Sequence, residues 1–200
     1  MKYISIGFKC SVKYNIDKYR GKSKTLFFDW LMTTMDSVIE LLKCNNIKDI
    51  LYIDNLVKDH SFIGKKTCKI KIQSLDFCYS IHDMPKYYKK NDIINFIEKY
   101  TRRFNRIIQY IKSNEKLCFI RYGKISNNQV DQFINIIKKI NPKCNFTLIV
   151  ITNKENINLV EKKHLLTIPL HIDIPKNGDW KLQYLNWDKN IFSVIEDKLS

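Results

Sequence analysis

Lys116-Leu117-Cys118-Phe119-Ile120-Arg121-Tyr122 is a nearly unbroken apolar run, and Phe146-Thr147-Leu148-Ile149-Val150-Ile151-Thr152 repeats the pattern further on. Runs without polar alternation suit strands covered on both faces, which is the signature of a parallel sheet. Between them Asn128–Ile140 reads as a helix. Glu155–Lys163 then reads as another helix, Leu165–Pro169 as a strand, and Asp188–Leu199 as a closing helix. Helices alternating with such strands predict βαβ crossovers.

Outward from that block, Lys2–Ile6 reads as a short buried strand ending at Gly7, with a helix over Ser11–Tyr19. Arg20-Gly21-Lys22-Ser23 marks a turn and Thr25–Trp30 a second extended segment. Thr33-Thr34-Met35-Asp36 has the hydroxyl cap and early acid of a helix start. Thr67–Ile72 and Asp76–His82 suggest a β-hairpin around Gln73-Ser74. The longest helix runs from Asn91 to about Ser113, with Ile93, Ile97, Tyr100, Phe104, Ile107, Ile108 and Ile111 on one face. The expected fold is α/β: a single doubly wound, largely parallel sheet flanked by helices, with a β-hairpin insertion, forming one domain over residues 1–200.

Composition agrees. Hydrophobic residues make up 44% and charged residues 28% of 200, a globular balance that can bury a core without disulfide staples. Five Gly and four Pro leave little for a flexible linker. No apolar run approaches the roughly 20 residues a bilayer requires, and the N-terminus lacks a signal-peptide pattern. Cys10, Cys44, Cys68, Cys78, Cys118 and Cys144 are scattered without a C-x-x-C pair, as expected of reduced thiols. A cytoplasmic protein is the expectation. The net charge of +15 would suit a nucleic-acid partner, but Lys is dispersed among Asp and Glu, so compositional bias explains it better.

The segment Gly7-Phe8-Lys9-Cys10 places a cysteine between a strand and the first turn of a helix. Backbone dipoles there, with Lys9, would favour thiolate, the form that attacks carbonyls. His82, at the end of a strand and one of four histidines, could supply the imidazole. Arg102 and Arg106, four apart on the long helix, could clamp an anion, and Arg121 ends a strand where α/β sheets bind ligands. No P-loop, Gly-x-Gly-x-x-Gly or zinc spacing occurs, so neither cofactor nor metal is expected.

These motifs carry a resemblance. Gly7 and Cys10, Phe28-Asp29-Trp30, His82-Asp83 and the Arg102-Arg103 helix, in this order, resemble a family of bacteria and large DNA viruses described as papain-like cysteine peptidases. The resemblance implies a thiol hydrolase with Cys10 as nucleophile, His82 as base and Asp29 as orienting group. Gly7, Lys9, Trp30, Asp83, Arg102, Arg106 and Arg121 are then the expected substrate contacts. In papain the cysteine helix leads on to an antiparallel sheet carrying the histidine, whereas here a strand precedes the cysteine and the C-terminal half reads as parallel. Two other readings stand beside this one. One is an α/β transferase or carbohydrate-processing protein holding an anionic donor on Arg102, Arg106 and Arg121. The other is a non-enzymatic basic binding module.

Overall fold

The computed structural model describes residues 1–8, 10–63, 66–153, 158–170 and 181–199. In chain order the first half holds β1 (Lys2–Ser5), α1 (Ser11–Arg20), β2 (Leu31–Thr33), α2 (Met35–Lys43), β3 (Leu56–Ile63), β4 (Cys68–Ile72) and β5 (Cys78–Ser80). The second holds α3 (Lys90–Lys112), β6 (Leu117–Tyr122), α4 (Asn127–Ile140), β7 (Phe146–Asn153), β8 (Leu165–Leu170) and α5 (Ser193–Leu199). None of the described helices is long and apolar enough to cross a membrane.

β1, β6, β7 and β8 form a four-stranded parallel sheet in that order. Every residue of β6 is buried, and the period-2 pleat divides them between two cores. Leu117 and Phe119, with Leu148 and Val150 of β7, meet Phe104, Ile107 and Ile111 of α3 and Phe133 and Ile137 of α4. Cys118, Ile120 and Tyr122, with Ile149 and Ile151, face Val12 and Ile16 of α1 and the C-terminal Trp187, Ile191, Phe192 and Ile195. The sheet is therefore covered on both faces, as its apolar runs require.

The expected hairpin insertion is larger than two strands. β4 and β5 pair antiparallel, and β2 and β3 extend them into a four-stranded sheet of order β2-β5-β4-β3. β3 escapes sequence reading because Lys58, Asp59 and His60 interrupt it. Leu26–Trp30 is a turn, with the extended segment shifted to Leu31–Thr33, because the Asp29 carboxylate accepts the Leu26 N–H (2.7 Å) and bends the chain back. Of the helix expected over 155–163, residues 158–162 are irregular. The Asn127 side chain captures the Asn158 carbonyl and the Val160 N–H there, and residues 154–157 lie outside the described set. The closing helix starts with a π-helical turn, Asp188–Phe192, before α5. Thr34 caps α2, accepting the Ser37 N–H (3.2 Å) as its hydroxyl predicted.

Candidate active site

Cys10 sits at the N-cap of α1, directly after the turn that leaves β1. Two left-handed residues make that turn, Gly7 (φ 85°) and Phe8 (φ 68°). A Cβ on Gly7 would lie 1.9 Å from Thr33 Oγ1, so no larger residue fits where the end of β1 crosses the end of β2. The Cys10 side chain makes no capping hydrogen bond, and α1 has no acid in its first turn. The thiol is half-buried, and burial pushes its pKa up to about 11. Its own backbone N–H works the other way, and the Asp83 and Asp29 carboxylates add to the rise. Desolvation thus works against the thiolate that the helix terminus is expected to favour. Lys9, the other expected source of positive potential, lies outside the described residues.

Asp29 is buried below the site. Burial raises its carboxyl to about 7, against the opposing charge of Lys13, whose Nζ stands 3.6 Å away, and the Leu26 N–H. Asp83 is largely buried and bound by three donors from α3: Lys99, Tyr100 OH and Arg103 Nη1 (3.1 Å). Burial would raise its carboxyl, but these partners hold it below the ordinary value. His82 is exposed and meets Trp30 edge-on, ring centroids 6.4 Å apart. Among the described residues no hydrogen bond joins the Cys10 thiol to the His82 imidazole.

The structure thus gathers Cys10, Asp29, Trp30, His82 and Asp83 around the start of α1, the Asp29 turn and the loop after β5. The three arginines lie in different surroundings. Arg106 donates to the Thr25 carbonyl (3.0 Å), and Arg102 is exposed. Arg121 is 2% exposed, with Nη1 on the Ile6 carbonyl and Nη2 on the Thr33 carbonyl, both at 2.9 Å. Burial lowers its pKa to about 10. Among the described residues no group of three or more His, Cys, Asp or Glu is arranged to hold a metal ion.

Residues 1–156, which hold every one of these side chains, match the family described as "Putative papain-like cysteine peptidase (DUF1796)". The chain belongs to this family. An uncharacterised protein of Acanthamoeba polyphaga mimivirus is 28% identical over 217 residues, covering 92% of this chain and 94% of that one. A DNA-directed RNA polymerase subunit beta'' of Marchantia polymorpha aligns at 29% identity over 66% of this chain and 10% of its own length, too small a share to carry an argument. No solved structure matches.

Within this papain-like peptidase family member, the parallel strand before the cysteine and an antiparallel sheet leading to the histidine occur together, through β1 and β5. Sequence reading had opposed these two features. It also passed over Lys13 and Lys99, and it named Tyr100 and Arg103 without a partner for either. Their spacing held a signal, since Lys99, Tyr100 and Arg103 lie within one turn of α3. Nothing in the sequence said that the turn faced Asp83.

Proposed function

We propose that the chain is a thiol-dependent hydrolase, cysteine-peptidase-like in chemistry, acting on an amide or ester. Cys10 is the nucleophile, His82 the base and then the acid, and Asp29 the carboxylate that sets the charge beneath them. The observation that carries this reading is the place of Cys10, at the N-cap of α1 with no side-chain capping bond and within electrostatic reach of the two segments that bring Trp30 and His82 together. Family membership supports the same class of chemistry.

With the resting thiol neutral, the base acts during attack and not through a preformed ion pair. The Cys10 S–H passes its proton to His82 as sulfur bonds to the substrate carbonyl carbon, and the carbonyl electron pair moves onto oxygen. N–H groups at the uncapped start of α1 receive that oxyanion, each such donor contributing about 3 kcal/mol in hydrolases of this kind. The imidazolium then protonates the leaving amine or alcohol as its bond to carbon breaks. Water, giving its proton to His82, cleaves the thioester and restores the thiol. Trp30 borders His82 and forms a wall for the substrate.

Cys10→Ala tests this directly. The variant should lose hydrolysis of peptide and ester libraries and labelling by an electrophilic thiol probe, with an unchanged circular dichroism spectrum. Full turnover by a folded Cys10→Ala protein would exclude covalent catalysis by this residue.

A further inference from the structure

Six charged side chains of alternating sign run beneath the candidate site. Lys99 pairs with Asp83, and Asp83 with Arg103 at 3.1 Å. Arg103 makes no ion pair with Asp29 among the described residues and favours the charged form of that carboxyl only weakly. Asp29 faces Lys13 at 3.6 Å, and Lys13 ends on Asp17 at 2.8 Å. The central three are the most enclosed, Arg103 at 8%, Asp29 at 1% and Lys13 at 2% exposure. Burying charge at that depth is expensive unless each group has its partner.

These six stand on four pieces that share no strand. Lys13 and Asp17 stand on α1, which Cys10 opens. Asp29 stands on the turn that carries Trp30, Asp83 follows His82, and Arg103 and Lys99 stand on α3. A buried ion network adds little net stability over well-packed apolar residues, and in some proteins its use is to hold elements to one register. Arg103 pairs with Asp83, and its guanidinium also lies over the Tyr100 ring, 4.8 Å from the centroid.

We infer that Arg103 is a positioning residue, its guanidinium paired with Asp83 and lying over the Tyr100 ring so that the segment carrying His82 is fixed to α3. The inference rests on the thiol-hydrolase reading for its purpose, though not for its geometry. Arg103 touches neither thiol nor imidazole and acts through Asp83. A lysine there keeps the charge while losing the planar fork, so it should restore the arrangement in part.

The test is the carbon-bound proton resonances of the four histidines in protein labelled with carbon-13 histidine. Arg103→Gln should move the His82 peak by more than its linewidth, and Arg103→Lys should return it most of the way. The peak of His164, stacked on Phe146 at 4.5 Å, should stay in place. Should Arg103→Gln fail to fold, Lys99→Met at the less buried end of the chain should move the same peak. A folded variant in which the His82 peak does not move, or in which His164 moves equally, overturns the inference. Alkylation of native Cys10 is read separately. If Cys10 reacts no faster than the other thiols while the His82 peak still follows Arg103, the catalytic reading falls and the positioning stands.

Discussion

Asp29 holds its proton more tightly in the folded chain than in the unfolded one, about 7 against roughly 3.9 for a free carboxyl. Between about pH 4 and 7 the unfolded chain is ionised at this position and the folded chain is not. The contribution of Asp29 to stability therefore falls as pH rises through that window and is level above it. Asp83 runs the other way, since its partners hold it low, and its contribution is lost on acidification. Asp29→Asn removes the first effect alone. Thermal melts at pH 4.5 and 8 should show the variant gaining on the native protein at the higher pH. A difference independent of pH would mean that Asp29 is ionised normally. Burial acts on the Cys10 thiol as well: the dipoles are visible in the strand-turn-helix order, but desolvation depends on what packs over the sulfur.

The two sheets are joined at the crossing of β1 and β2, where Gly7 passes Thr33 and Arg121 holds both chains by their carbonyls. Arg121 is thus a clip between elements. In Arg121→Met two buried carbonyls lose their donors while the cost of burying a guanidinium is relieved. The net loss should be about 2–4 kcal/mol of unfolding free energy, read from the denaturant midpoint. A loss under about 0.5 kcal/mol would mean the sheets are held by apolar packing alone. The parallel strands, α1, α3 and α4 were legible in the sequence because each carries its own periodicity. The antiparallel sheet was only half legible. β2 and β3 are defined by what they pair with, and a carboxylate-to-backbone bond turned the segment that read as extended.

One apolar cluster runs through both sheets, from Ile4, Ile6 and Phe119 to Leu31, Ile70, Ile72 and Cys78. This predicts that they unfold together, as one domain. Trp30 reports from the turn that leads into the antiparallel sheet, and Trp187 from the far face of the parallel one. Fluorescence and circular dichroism should therefore give coincident denaturant transitions, and separate midpoints would divide the molecule in two. The motifs of the site were readable in the primary structure as short islands, but their convergence required α1, the Asp29 turn, the loop after β5 and α3 to meet. The account stands on Cys10 and His82 acting as a pair. It is tested most directly by the rate at which iodoacetamide modifies each cysteine, resolved by peptide mapping, in native protein and His82→Ala. Cys10 should react faster than Cys44, the other half-buried thiol, and lose that advantage in the variant. Equal rates at the two thiols, unchanged by removing the imidazole, would contradict the pairing.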